Sequence, residues 1–342
     1  MCPLAVRDEK LIEWIGQSLG LKDVRLGRRL SGGNSNITQL VEHCEGRVIV
    51  RRPPDNAISS SAANGVRREY AMLAAVCDSV RVPKPLAICE DPEVIGQPFI
   101  VVDFVDGVSI TTSLPSAYEV SPETLNSIGV QLIDGIAAVH TLDWRALPLR
   151  QPSAPPQDYV IRQIERWVAV RRKDAVRELP LVEELANWLN ARVPKTRATG
   201  VLHGDFHLDN TLFVTDRPVL SAIIDWELAT IGDPMADIGL MLAFWGERLV
   251  DSPGFSFVQA VSRQVQGVVS REQLAARWAD ATGLAADDLG FYMVFALWRL
   301  AAIVEGAFVL CRRGFVHDDY SRGLENDVPA LLEEAAVIAG LR

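Results

Sequence analysis

Val201-Leu202-His203-Gly204-Asp205-Phe206-His207-Leu208-Asp209-Asn210-Thr211-Leu212-Phe213-Val214, a short turn, and Ala222-Ile223-Ile224-Asp225-Trp226-Glu227 form the stretch on which the reading of this chain depends. The runs Thr211 to Val214 and Ala222 to Ile224 read as two short buried strands bracing a loop, and Gly204 lets the backbone turn tightly just before Asp205. The stretch offers a carboxylate at Asp205, a carboxamide at Asn210 and a second carboxylate at Asp225. Phosphoryl transfer asks a protein for little covalent chemistry and much placement of charge: a base to orient the attacking hydroxyl, and magnesium to neutralise phosphates. Magnesium prefers oxygen, so the amide oxygen of Asn210 and the carboxylate of Asp225 suit it, which leaves Asp205 to take the hydroxyl proton. A hairpin with ordinary turn carboxylates is the plain alternative. It requires chance to supply the His-Gly-Asp, the spaced Asn and the Ile-Ile-Asp together.

Upstream, the complementary half of such a site occurs in order. Val24 to Leu30 alternates like a strand, Ser31-Gly32-Gly33-Asn34-Ser35-Asn36 makes a polar glycine-bearing turn, and Ile37 to His43 resumes the alternation. Backbone N–H groups and small hydroxyls at Ser31, Gly32, Gly33, Asn34 and Ser35 could cover phosphates, although such a turn also closes many hairpins that bind nothing. Arg47 to Arg51 reads as a third strand ending in a cation before Pro53-Pro54. A helical pattern over Ala62 to Cys77 carries Glu69 on its polar face. A pair between Arg51 and Glu69 would hold a guanidinium against the α- and β-phosphates.

These residues resemble the aminoglycoside phosphotransferase and choline-kinase-like branch of the protein-kinase fold, over nearly all of the chain. Leu30 to Asn36, Arg51-Arg52-Pro53-Pro54, Arg68-Glu69-Tyr70, Val82-Pro83-Lys84-Pro85 and Ile95-Gly96-Gln97-Pro98-Phe99 are similar to one subgroup. It includes the phosphotransferase domains fused to acyl-CoA dehydrogenases, whose activity is understood as phosphorylation of hydroxyacyl-CoA. The resemblance implies an α+β, protein-kinase-like two-lobed fold. A small β-rich nucleotide-binding lobe would span 1–103, a hinge 104–108, and a large, mainly helical lobe 109–342.

The resemblance further implies ATP and Mg2+ as cofactors, Asp205 as catalytic base, and Asn210 and Asp225 as metal ligands. Arg51 stands where most kinases place lysine, and an arginine is planar, bidentate and always charged. Trp226-Glu227 stands where protein kinases have Phe-Gly, so no activation-loop switch of that kind is expected. Backbone groups of Asp103, Phe104 and Val105 would meet adenine, unless they form a plain domain connection. His203 and Asp237 are expected to brace the catalytic loop.

Composition narrows the partners. The chain has 342 residues, 49% of them hydrophobic, enough for two lobes with a sizeable core. A formal charge of −10 argues against a nucleic-acid partner. Five scattered cysteines, with no metal-ligand spacing, suggest reduced thiols in a cytoplasm. No signal peptide is visible. No stretch is expected to approach the length of a membrane span, and the apolar stretches around Gly239 to Trp245 and Phe291 to Leu310, the latter broken by Arg299 and Glu305, read as buried helices.

Ser121-Pro122-Glu123 opens a helix that continues through Leu125, Ile128, Leu132, Ile136 and Val139 to His140, read as a helix-end residue satisfied by nearby backbone. Further helices are expected around 158–172, 180–192, 235–249, 270–282, 286–312 and 327–340. Arg162, Arg166, Arg171, Arg172 and Lys173 read as a solvated helix face, or alternatively as a contact for the phosphates of a CoA-bearing substrate. The partner is expected to be a small hydroxyl-bearing molecule. A hydroxyacyl thioester or other hydroxylated metabolite, an aminoglycoside, and no acceptor at all in a nucleotide-binding pseudokinase are the three readings. Oligomeric state is not legible.

Overall fold

Strand β3 fixes the architecture of the N-terminal part, because it places Arg51 between two antiparallel neighbours. The computed structural model describes residues 4–30, 36–54, 60–111, 113–246, 265–315 and 319–342. Helix α1 (Leu4–Leu19) precedes β1 (Arg25–Leu30), β2 (Ile37–His43) and β3 (Gly46–Arg52). Then come α2 (Ser60–Val76), β4 (Pro85–Cys89), the single turn α3 (Pro92–Ile95) and β5 (Phe99–Asp103). The strands form one sheet in the order β1-β2-β3-β5-β4, with every neighbouring pair antiparallel.

Period-two alternation sends Val48 and Val50 of β3, with Val41, Phe99 and Val101 from the neighbouring strands, into a core closed by Leu11 and Ile15 of α1. Trp14 of α1 meets Phe99 edge-on at 4.9 Å. Helix α3 starts because the Asp91 carboxylate accepts the Glu93 N–H at 2.9 Å with Pro92 in the first turn, and it stops at Gly96, whose φ is +84°. Neither α1 nor β4 was anticipated from the sequence. The expected phosphate-covering residues Ser31, Gly32, Gly33, Asn34 and Ser35 lie outside the described residues.

The remaining elements are α4 (Pro122–His140), α5 (Tyr159–Asp174), α6 (Pro180–Asn190), β6 (Gly200–Leu202), β7 (Thr211–Phe213), β8 (Leu220–Ile223), β9 (Thr230–Gly232), α7 (Met235–Ala243), α8 (Arg271–Thr282), α9 (Leu289–Arg312) and α10 (Asp319–Ile338). The chain divides into two compact units. The first comprises 1–107, 145–149 and 221–229; the second comprises 108–144, 150–220 and 230–342. The segment carrying Asp225 therefore belongs to the unit built on the five-stranded sheet, and the segment carrying Asp205 and Asn210 to the helical one.

In the helical unit, α4 is capped by Ser121, whose hydroxyl accepts the Thr124 N–H at 3.3 Å, and Leu125, Ile128, Leu132, Ile136 and Val139 are buried along one face. Helix α9 is the axis, packed against α5, α6, α7 and α10. Gly239 of α7 permits the closest approach, since a Cβ there would stand 2.5 Å from the backbone of Tyr292 on α9. Contrary to the expectation that no stretch would reach membrane-span length, α9 is long and apolar enough to cross a membrane by length and composition. Its buried residues, Phe291 through Trp298 among them, make it a core helix of this unit. The helix expected at 235–249 ends at Ala243, with 247–249 outside the described residues, and the one expected at 327–340 starts earlier, at Asp319.

Candidate active site

Within the first unit, the β2–β3 register sets Thr38 opposite Arg51. The Arg51 guanidinium donates from Nη1 to Thr38 Oγ1 at 3.3 Å and from Nη2 to Asp225 Oδ1 at 2.8 Å, while its Nε stands 2.7 Å from Glu69 Oε1. One planar cation thus links strand, helix and the Asp225 loop, using the fork geometry that a lysine lacks. Burial works against the Arg51 charge, but Glu69, Asp225 and Glu227 together raise its pKa above the usual arginine value. Burial is also the largest influence on Glu69 and pushes its carboxyl up, against the opposing pull of Arg51. Asp225 adopts left-handed backbone geometry, φ +67° and ψ +62°. That conformation is costly for a residue with a side chain and persists only where its surroundings enforce it. Here Trp226, fully buried, donates its indole N–H to Ile223 O, Arg68 donates to Glu227 O, and Asn36 donates to Glu227 Oε2 at 2.7 Å.

Asp103, Phe104 and Val105, expected to meet adenine, offer less than the full set of backbone groups. The Asp103 N–H donates to Lys84 O at 2.9 Å and is engaged, while Phe104 lies under the Arg47 guanidinium at 3.9 Å. Arg47 also pairs with Asp106 at 3.0 Å.

Within the second unit, β6 pairs with β9 and delivers the chain into His203-Gly204-Asp205. Asp237, on the first turn of α7, accepts the Gly204 N–H on Oδ1 at 2.9 Å and the His203 N–H on Oδ2 at 2.8 Å. Behind it, Trp278 donates its indole N–H to Nδ1 of His140 at 2.9 Å, so that nitrogen carries no proton, and Nε2–H points at Asp237 Oδ2 at 3.2 Å. Asn210 donates from Nδ2 to the Asp205 carbonyl at 2.8 Å and to Asp205 Oδ2 at 3.1 Å, with His207 Nε2 at 3.3 Å. Asp205 N–H donates to His203 Nδ1 at 3.3 Å, and Arg299 of α9 donates to Gly204 O at 2.7 Å.

Burial is the largest single influence on Asp205 and acts to raise its pKa. The His207 hydrogen bond and charge, with the Arg299 cation, outweigh it and bring the carboxyl down to about 2. Asp205 is therefore an anion at neutral pH, suited to accepting a hydrogen bond from a hydroxyl and weak as an early proton acceptor.

A family model for the phosphotransferase enzyme family matches residues 27–270. The chain belongs to that family. Acyl-CoA dehydrogenase family member 10 of Mus musculus is 29% identical over 282 residues, covering 81% of this chain and 26% of that relative, so the chain spans about a quarter of its length. A crystal structure from Ralstonia eutropha JMP134, provisionally assigned as an aminoglycoside phosphotransferase, shares 27% identity with a TM-score of 0.79, covering 97% of this chain and 98% of that one. The GDP complex of aminoglycoside 2'-phosphotransferase-IIIa, at 16% identity and TM-score 0.60 over 96% and 99% of the two chains, supports the fold alone. The fold is that of the protein kinases, with strands in the N-terminal part and a larger helical part.

For this phosphotransferase-family chain, sequence reasoning missed three residues of the loop's support. His140 is satisfied by the side chains of Asp237 and Trp278 rather than by nearby backbone as expected, and Arg299 had been noted only for interrupting an apolar run. His140 and Trp278 lie 138 residues apart, and Arg299 lies 95 from Gly204, so no local pattern could pair them. Arg171, read as part of a solvated face, instead pairs with Glu305 at 3.2 Å beside Arg177 at 2.6 Å. Arg166 of the same cluster is exposed.

The donor set fits magnesium. Asn210 directs its amide N–H groups at Asp205 and leaves Oδ1 without a donor, and Asp225 has one oxygen on Arg51 and Oδ2 without a donor, among the described residues. Each, within its own unit, offers a hard oxygen of the kind such an ion takes.

Proposed function

We propose that this chain is an ATP- and magnesium-dependent phosphotransferase that moves the γ-phosphoryl group of ATP onto a hydroxyl of a small molecule, with hydroxyacyl-CoA as the acceptor class. The observation that carries this reading is the Asp205–Asn210 pair on a loop anchored by Asp237. The pair presents an ionised carboxylate for a hydroxyl beside an amide oxygen kept free for a cation.

In the proposed reaction Asp205 accepts the hydrogen bond of the acceptor hydroxyl and aligns its oxygen with the γ-phosphorus. The new O–P bond forms as the bond from phosphorus to the bridging oxygen breaks, and ADP leaves with that electron pair. With so low a pKa, Asp205 takes the hydroxyl proton late, once the oxygen has become acidic by bonding to phosphorus. Arg51, held by Glu69, supplies positive charge to the other phosphates. Asn210 and Asp225 would each offer a hard oxygen to magnesium, which when bound would supply neutralisation of phosphate charge. The Phe104 and Val105 backbone would receive adenine.

The acyl acceptor is favoured by the relatedness to an acyl-CoA dehydrogenase family member; an aminoglycoside acceptor is the second reading, favoured by the Ralstonia structure. A panel assay decides between them. ADP release from Mg-ATP is measured with hydroxyacyl-CoAs, aminoglycosides and choline-like amines. Release only with hydroxyacyl-CoAs is expected, release only with aminoglycosides would favour the second reading, and release with none would favour a pseudokinase.

A further inference from the structure

Arg299 holds more hydrogen-bonding capacity at the catalytic loop than the loop uses. Its Nη1 donates to the carbonyl of Gly204 at 2.7 Å, which belongs to the peptide joining Gly204 to Asp205. Its Nη2 makes no hydrogen bond among the described residues, while its Nε, also without a hydrogen-bond partner, is buried, so the edge open to a ligand is the Nη side of the half-buried fork. A guanidinium has five N–H donors in a rigid fork, and leaving such donors idle next to a catalytic loop is costly unless a ligand completes them. A brace for one carbonyl needs no guanidinium. The helix that carries Arg299 is packed along its length in the core of the helical unit, so the fork is presented from a rigid element.

We propose that Arg299 is an acceptor-binding residue whose free guanidinium edge receives a carbonyl or carboxylate oxygen lying a few bonds from the hydroxyl that Asp205 engages. This deepens the phosphotransferase reading and rests on it: the acceptor is a hydroxyacyl compound, recognised through its acyl oxygen. The contact is confined to one unit, since Arg299, Gly204 and Asp205 all belong to the helical part. Anionic groups also surround the loop. Asp237 is engaged by two backbone N–H groups and His140, Asp209 stands 4.0 Å from His207, and Asp205 itself is the hydroxyl's partner. A polyamine acceptor would have to bring its ammonium groups against the Arg299 cation, whereas an acyl oxygen gains a charge-assisted hydrogen bond there.

The test uses matched probes: a hydroxyacyl-CoA thioester and the hydroxyalkyl-CoA thioether that differs only in lacking the carbonyl. Affinity of the full chain for each is measured by calorimetry, and kcat and KM by ADP release, for wild type, R299K and R299Q. The wild type is expected to prefer the thioester tenfold or more. R299Q should abolish that preference through Kd and KM, and R299K should restore part of it. A loss in R299Q that is equal for both probes, or confined to kcat, would reduce Arg299 to a brace for Gly204 and overturn the proposal. Equal wild-type affinity for the two probes, or binding of neither, would overturn it as well. Should R299Q fail to fold, R299K decides: a preference reduced through Kd and KM supports the proposal, and a preference equal to that of wild type overturns it. Absence of ADP release with intact thioester selectivity would refute phosphoryl transfer while leaving the Arg299 contact standing.

Discussion

Asp237→Asn is the substitution whose cost can be worked most fully from the geometry. The carboxylate, its side chain 2% exposed, receives three donors: Gly204 N–H on one oxygen, and His203 N–H with His140 Nε2–H on the other. An asparagine has one acceptor oxygen. Its better orientation serves His203 and His140 and turns an NH2 group against the Gly204 N–H, which then has no acceptor. His140 cannot relieve this by changing tautomer, because the indole N–H of Trp278 already points at its Nδ1. An orphaned buried N–H costs about 1–3 kcal/mol. Loss of the charge weakens each of the two surviving bonds by about 1 kcal/mol. The total, about 3–5 kcal/mol, is a large fraction of the roughly 5–15 kcal/mol that holds a domain folded. Urea titration of wild type and D237N, followed by tryptophan fluorescence, measures it, with turnover recorded on the same samples. The reasoning predicts a destabilisation in that range together with reduced kcat, since Gly204 and Asp205 share the displaced peptide. A change under about 1 kcal/mol would refute the assignment of Asp237 as the anchor.

Two further expectations follow from the charged groups. Asp205 falls from 3.8 to about 2 on folding, with its side chain 28% exposed. Because the folded-state value is the lower one, the stability it contributes is present above pH 4 and is lost as pH falls through 2. At about 1.4 kcal/mol per unit this comes to about 2 kcal/mol. The stability difference between wild type and D205N should shrink by that amount between pH 5 and pH 2, and a flat difference would contradict the low value. Arg51→Lys leaves one ammonium where three nitrogens now reach Thr38, Glu69 and Asp225, so Mg-ATP affinity measured by calorimetry should fall by about tenfold. Unchanged affinity would remove Arg51 from the nucleotide site.

Much of this fold is legible in the sequence where its signals are local. The alternation from Ile37 to His43, the Ser-Pro-Glu start of α4 and the spacing of Asp205 and Asn210 each report on residues within a turn or a strand of one another. What escaped depends on distance or brevity. Strands β6 and β9 have three residues apiece, too few for periodicity to register, and are held by pairing with each other. Helix α1 carries Leu11, Ile12, Trp14, Ile15 and Leu19 among polar residues, and the sheet it packs on shows why Leu11, Trp14 and Ile15 matter. His140, Trp278 and Arg299 look like ordinary helix residues until tertiary folding sets them around Asp237 and the His203–Asp205 loop. The Arg51–Glu69 pair lies between these cases, because a cation ending one strand and an acid on the next helix suggest each other, whereas the added grip on Asp225 needed the structure.

Transfer of labelled phosphate from γ-labelled ATP to a hydroxyacyl-CoA, compared between wild type and D205N in the presence of magnesium, tests the central claim most directly. The account predicts labelled acyl-CoA product with wild type and a fall of at least about a thousandfold with D205N at similar ATP affinity. Equal transfer by the two proteins would contradict it.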